Sequence, residues 1–359
     1  MNVNRKKLLF WGELPPNVYH GVSLCNARII SALEKEFVIF RVVDKSSFIS
    51  RPRAVFSFIR ALMSLIFYIV FERPNILYVN APTSYVGLFK VFIAVRLIKL
   101  VNSSVNVVAH LHRGDVTKFV SAKRNLALFR RFSQLLSHLI VLSNTAINEI
   151  RDNDLIDISK VKLLPNTVRV DSLQTKEGII VGPDGQTRVL YCLCNYIDSK
   201  RIDALVKIAN KAPCFRVDFN GAISSNDYMA TLKELNHSGV CNFDGVIKSI
   251  EKESKLRAAK ALILPSLNEG MPLVILESLA QGTPVVCFDV GYIKDYVGSD
   301  YPGLVKELTD EALREKIDWV NNLNDEEYRL LQLDSLAIFY KNYHPSKIKS
   351  LTLDFFREI

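Results

Sequence analysis

The feature that most constrains this chain is an alternation that runs through twice. Short apolar runs are separated by longer amphipathic stretches. In the first half, Lys7–Trp11, Val38–Val43, Ile76–Val79, Val105–His112 and Leu139–Leu142 read as parallel strands, because strands covered on both faces are apolar throughout. Helical stretches lie between them at about 21–36, 53–72, 83–100, 121–137 and 144–152. The cycle restarts after the turn-rich Gly182-Pro183-Asp184-Gly185, with strands expected at Val189–Leu193, Phe215–Phe219, Val240–Phe243, Ala261–Leu264 and Pro284–Phe288. Helices near 308–320, 325–342 and 346–358 close the chain. Strand and helix alternating in this way make βαβ units, hence a doubly wound parallel sheet in each half.

With 359 residues the chain exceeds the size of one hydrophobic core, so two domains are expected. The fold class is α/β: two Rossmann-like domains facing across a cleft, residues 1–170 and 171–344, with the last helix, 345–359, packing back on the first. A composition of 49% hydrophobic and 23% charged residues excludes disorder, and no repeat is visible. The six cysteines form no C-x-x-C pair and mostly sit in apolar runs, as small buried hydrophobes in a reducing compartment do. Lys6-Lys7 leads into only a short apolar run, so no signal peptide is read and the expected location is cytoplasmic.

Charge is unevenly spread. Residues 1–170 hold 24 Lys and Arg against 10 Asp and Glu, a net of +14, while the remainder nets −5. A basic front half suggests an anionic partner: nucleic acid, a membrane surface or a phosphorylated acceptor. Ala54–Phe71 has the length of a membrane span, but Arg60 interrupts it and the alternation requires a helix there; it reads as a buried, sheet-covering helix. Tyr85–Leu100 carries Lys90, Arg96 and Lys99 among apolar residues and fits a helix lying in the plane of an anionic membrane, so the protein would be peripheral on the inner membrane face.

The segment with most chemical content runs from Leu264 to Val286. A strand ends at Leu264, a polar loop follows, and a helix begins near Pro272, where proline suits a first helical position. The N–H groups of Leu273 and Val274 then have no helical partners, and such a helix start is a natural seat for diphosphate. Glu269 precedes this start, with Gly270 and Met271 between, and Glu277 lies inside the helix. Their carboxylates fall on the order of 10 Å apart at about 1.5 Å rise per helical residue, close to the span from a donor sugar to its ribose.

This segment resembles the E-x7-E signature of the family-4 retaining glycosyltransferases, which have the GT-B fold. The flanks agree in order. Asn166, in Leu164-Pro165-Asn166, resembles the pair that closes the family's first domain, and Lys200 matches the lysine that contacts donor phosphate. Gly221 matches a glycine after the second domain's second strand, and Val246, in Asp244-Gly245-Val246, falls where the base lies against backbone. The sequence departs from the pattern at two places. Asn195 stands where relatives carry an arginine, and Ile223 replaces the second glycine of G-x-G. More of the diphosphate charge then falls to Lys200 and the helix start, with Arg201 or Arg113 as substitutes.

The first half carries weaker signals. Gly21 and Ser23 follow the first strand in a proline- and glycine-containing loop that, in relatives, passes the donor phosphates and the acceptor. Gly21 would permit close backbone approach and Ser23 could donate a hydrogen bond; a plain βα turn would read the same way. His112 resembles the family's histidine near the transferred sugar, with a structural histidine as the competing reading, and Arg113 and Asp115 follow on the acceptor side. Alternation puts His110 and His112 on one side of the strand, yet no third ligand is spaced for a metal, so none is expected. Asp152-Asn153-Asp154 has D-x-D spacing but follows a helix-like stretch and marks a solvated helix end.

The resemblance implies retaining, metal-independent transfer of a hexose or N-acetylhexosamine, without a cofactor. The donor is a nucleotide-diphosphate sugar, a UDP-sugar first and GDP-mannose second. Glu269, Lys200 and His112 would be the catalytic set. The implied acceptor is a glycan or lipid-diphosphate-linked glycan of a bacterial capsule, O-antigen or lipopolysaccharide. Two other classes remain open on sequence: a nucleotide-sugar epimerase of the same fold, and a non-catalytic basic binding module. No nucleic-acid motif accompanies the second, and nucleic acid is not an expected partner.

Overall fold

The computed structural model describes residues 5–18, 20–44, 51–114, 116–170, 189–211, 215–247 and 249–359. The chain divides into two compact units: residues 1–166 with 346–359, and residues 167–345.

In unit 1 six parallel strands form one sheet: β1 (Lys7–Gly12), β2 (Val38–Val43), β3 (Ile76–Asn80), β4 (Asn106–His110), β5 (His138–Val141) and β6 (Val161–Leu163). The helices between them are α1 (Gly21–Leu33), α2 (Arg51–Phe71), α3 (Tyr85–Val101), α4 (Val116–Val120), α5 (Lys123–Ser133) and α6 (Asn144–Asp152). Strand order is β2-β1-β3-β4-β5-β6, so the winding reverses between β1 and β3. Ligands of open α/β sheets bind at the carboxyl ends of the strands flanking such a reversal. The final helix of the chain, Pro345–Glu358, packs here: Ile348, Phe355 and Phe356 share a core with Leu8, Phe10, Tyr78 and Ile140. Lys6 Nζ donates to the Arg357 carbonyl, and Arg357 pairs with Glu36.

Unit 2 repeats the plan with β7 (Val189–Leu193), β8 (Arg216–Asn220), β9 (Cys241–Asp244), β10 (Ala261–Leu264), β11 (Val285–Phe288) and β12 (Leu304–Val305). Its helices are α7 (Ile202–Lys211), α8 (Asn226–Leu235), α9 (Ser249–Ala258), α10 (Leu273–Ala280), α11 (Ile293–Val297), α12 (Asp310–Asn322) and α13 (Asp325–Asn342). The order β12-β11-β10-β7-β8-β9 puts the reversal between β7 and β10. All four residues of β10 and of β11 are buried, as central strands covered on both faces must be. The turn-rich Gly182–Gly185 stretch lies outside the described residues.

One helix departs from its sequence reading. Ala54–Phe71 was expected as a buried cover for the sheet, yet only 17% of Arg53–Phe71 is buried. Ala61, Leu65 and Ile69, four residues apart, face inward, whereas Phe56, Met63, Phe67 and Phe71 are exposed. Composition alone cannot distinguish the two cases, because the outward face is as apolar as the inward one.

Candidate functional site

In unit 2 the two connections leaving β7 and β10 flank the winding reversal, and they carry Asn195, Lys200, Arg201, Glu269, Gly270 and Met271. Lys200, in the loop after β7, places Nζ 2.5 Å from Glu269 Oε1, in the loop after β10. Glu269 is buried, with a side chain 9% exposed, so an uncompensated charge there would be expensive and the ammonium supplies the compensation. The backbone of Glu269 is held from behind. Gly291, after β11, has φ +57°, and a Cβ on it would stand 1.7 Å from the Glu269 carbonyl oxygen. Only glycine allows that approach, a requirement that sequence reading passed over.

Helix α10 begins at Leu273, with Pro272 as an extended N-cap (φ −66°, ψ 119°) rather than as the first helical residue. Proline offers no side chain to cap the helix, and the N–H groups of Leu273 and Val274 belong to the first turn, where intrahelical acceptors are lacking. Met271 and Leu273 are buried and Gly270 and Val274 half-buried. Glu277, inside α10, has a cation of its own. It pairs with Lys252 of α9 at 2.6 Å, a contact between helices that no sequence spacing announces.

Asn195, in place of the family's arginine, has its own task. Its Oδ1 accepts from Ala222 N–H at 3.4 Å, Tyr196 N–H donates to the Ala222 carbonyl, and the backbone at Gly221 lies so close to Cys194 that a Cβ would reach its carbonyl oxygen at 1.9 Å. The glycine is thus required by the joining of the β7 and β8 loops. Arg201, one candidate for replacing the missing cation, is engaged elsewhere in this structure. Its guanidinium pairs with Asp310 of α12 at 2.5 Å and lies over Phe288. Val246 follows β9 on an exposed loop anchored by Asn220, whose Nδ2 donates to the Gly245 carbonyl.

Unit 1 has a cavity of about 290 Å³ at the carboxyl ends of β1, β3 and β4, lined by Trp11, Glu13, Asn80, Lys90, His112 and Arg113, among others. The rings of His110 and His112 lie 3.9 Å apart, on one side as alternation required. His110 Nδ1 is hydrogen-bonded to Tyr78 Oη at 2.7 Å, which makes it a structural histidine. Both ring nitrogens of His112 are buried without a hydrogen-bond partner. Burial, reinforced by His20 and opposed by Glu13, lowers the His112 pKa to about 3, so the ring is neutral at physiological pH. Trp11 Nε1, also on the cavity wall, is likewise buried and unpartnered.

Gly21 opens α1 with nothing within 4 Å of the position a Cβ would take. Ser23 is engaged at the start of the same helix. It is fully buried, its Oγ donates to the His20 carbonyl and accepts from His20 N–H, and the His20 ring closes the capping box at the start of α1. Its one O–H donor is thus spent on the helix end, so the donated hydrogen bond expected of it is already made. Asp115 lies outside the described residues. Among the described residues no group of three or more His, Cys, Asp or Glu could hold a metal ion, and Asp152-Asn153-Asp154 spans the carboxyl end of α6.

Two doubly wound sheets, each with its loops gathered at a winding reversal, define the GT-B class of fold. Sucrose-phosphate synthase from Thermosynechococcus elongatus matches at TM-score 0.82 and 14% identity over 99% of both chains. Anabaena Alr3699/HepE in complex with UDP-glucose matches at TM-score 0.75 and 15% identity over 98% of this chain and 100% of that one. At such identities the likeness is one of fold. Residues 180–331 match the family described as glycosyl transferases group 1, and this stretch is a domain of that family. The putative teichuronic acid biosynthesis glycosyltransferase TuaC of Bacillus subtilis (strain 168) is 34% identical over 95 residues, 24% of each chain. The matched stretch thus spans about a quarter of that relative's length.

Proposed function

We propose that the protein is a retaining, metal-independent glycosyltransferase. It transfers a hexose or N-acetylhexosamine from a nucleotide-diphosphate sugar to a glycan or lipid-linked acceptor in bacterial surface polysaccharide synthesis. UDP-sugars are the first choice of donor and GDP-mannose the second. The observation that carries the reading is the Lys200–Glu269 pair at the β7/β10 reversal of a group 1 domain, immediately before a helix start without a side-chain cap. The matching HepE structures are complexes with UDP and with UDP-glucose, which favours a uridine donor here.

In this reading the donor diphosphate sits at the start of α10, where the first-turn N–H groups and the helix dipole meet its charge. Lys200 turns from Glu269 toward the phosphates and stabilises the charge that develops as the sugar–oxygen bond breaks. Glu269, released from the ammonium, accepts hydrogen bonds from sugar hydroxyls, and Glu277 accepts from the ribose. The acceptor hydroxyl attacks from the face that the leaving group vacates and passes its proton to the departing diphosphate oxygen, so the anomeric configuration is retained. In unit 1, His112 acts as a neutral hydrogen-bonding group, and the cavity beside it, with Arg113 at its edge, takes acceptor hydroxyls.

The test is a turnover screen of UDP- and GDP-sugars with chelator present, on wild type, Glu269→Ala and Lys200→Ala. Nucleotide release with one donor, lost in both variants while their melting curves stay cooperative, is the expected result. Near-normal turnover in both variants would overturn the assignment.

A further inference from the structure

We infer that α2 and α3 together form a face that docks into an anionic lipid bilayer, with α2 as the embedded element. The crossovers from β2 to β3 and from β3 to β4 run in the same direction, so both helices lie on one face of the unit 1 sheet and pack against each other. On α2, the exposed Phe56, Met63, Phe67 and Phe71 recur at intervals of seven, four and four residues and so form one stripe opposite the buried Ala61, Leu65 and Ile69. Their exposures of 71%, 68%, 53% and 70% are far from ordinary for adjacent large apolar side chains. The outward stripe of α3 adds Val86 and Leu100, at 79% and 76%.

Charge decides what covers this face. Residues 51–131 hold 13 Lys and Arg against two Asp and Glu. Arg53 and Arg60 run along one flank of the α2 stripe with Ser57 and Ser64, Arg96 is exposed on α3, and Arg124 of α5 is exposed over the Tyr85 ring. Long cationic side chains at the border of an apolar stripe can reach headgroup phosphates while their stems stay in the apolar layer. A second copy of the chain would set the same cations against each other, which disfavours self-association through this face.

Insertion is shallow rather than spanning. The chain leaves β2 into α2 and returns to β3 in the same sheet, and the inward face of α2 covers β1 and β2. Crossing the bilayer would require that face to leave the sheet.

Flotation of the purified full chain with vesicles of phosphatidylcholine, alone or mixed with phosphatidylglycerol, tests the inference independently of any turnover. Anionic vesicles should bind at least about tenfold more strongly than neutral ones, since each cation near the surface contributes roughly a fivefold factor. Replacing Phe56→Ser, Met63→Ser and Phe67→Ser together should reduce binding on the order of a hundredfold, each buried side chain being worth roughly tenfold or less in a partly inserted face. Because these side chains are exposed, the triple variant should keep its circular dichroism and melting temperature. Arg60→Ala and Arg96→Ala should each weaken binding to anionic vesicles alone, by about fivefold. Absence of flotation with both vesicles, or flotation indifferent to the triple variant, would overturn the inference. A dimer by light scattering that the triple variant dissolves, without vesicle binding, would instead identify a second copy as the occupant.

Discussion

Gly291→Ala probes the architecture behind Glu269 without touching its carboxylate. The new Cβ would lie 1.7 Å from the Glu269 carbonyl oxygen, and carbon–oxygen contacts settle at about 3.3 Å, so roughly 1.6 Å of displacement is required. Residue 291 also sits at φ +57°, a left-handed conformation that costs an alanine about 1–2 kcal/mol. Adding about 1–2 kcal/mol for the overpacked contact gives a total near 3 kcal/mol. For a unit of this size that is a fall in melting temperature of roughly 6–12 °C. Misplacing a catalytic group by about 1 Å can cost ~100-fold in rate, so kcat/KM for the active donor should fall by at least that factor. Differential scanning calorimetry and initial-rate kinetics read both quantities on one preparation. A variant that melts within about 2 °C of wild type and keeps its kcat/KM would refute the reasoning, because the backbone contact would then have no consequence.

Gly21→Ala meets no atom within 4 Å and lies at a helix start, so stability should hold or rise by about 0.4–1 kcal/mol; a selective fall in activity on a thermally intact variant would show that a ligand approaches that backbone. Ser23→Ala should lower unfolding stability by about 1 kcal/mol through loss of the capping box, with KM for either substrate unchanged. His112 has a folded pKa depressed to about 3 from the ordinary 6.5, so the unfolded chain binds more protons between those values. Its contribution to stability is therefore present above pH 6.5 and lost progressively as pH falls toward 3, and burial lowers His110 in the same direction. Denaturant unfolding from pH 7 to pH 5 should show the decline, and His112→Gln should flatten it.

Both sheets were legible because parallel strands covered on two faces leave continuous apolar runs, and no surface element imitates ten of them in alternation. What escaped were β6 and β12, edge strands of three and two residues, too short to carry a pattern. Glu269 was legible from its place between a strand and a helix start and Lys200 from the family resemblance, and the topology brings them to 2.5 Å because β7 and β10 are neighbours at the reversal. Gly291, Lys252 and the ring of His20 were not, since each acts through a contact made only after folding. Ser23 shows the opposite case: a loop hydroxyl that could donate to a ligand already makes the hydrogen bonds that cap a helix. Helix α2 was misread because periodicity reports apolar faces, and both faces of α2 are apolar.

The most direct test of the account is calorimetric titration of UDP-glucose, UDP-N-acetylglucosamine and GDP-mannose into wild type and Lys200→Ala, with chelator in the buffer. Binding of one of these donors to wild type, weakened at least tenfold by the substitution because a charge-assisted contact to diphosphate is lost, is the predicted result. Failure of all three to bind, or equal affinity in the variant, would contradict the placement of the donor between Lys200 and the start of α10.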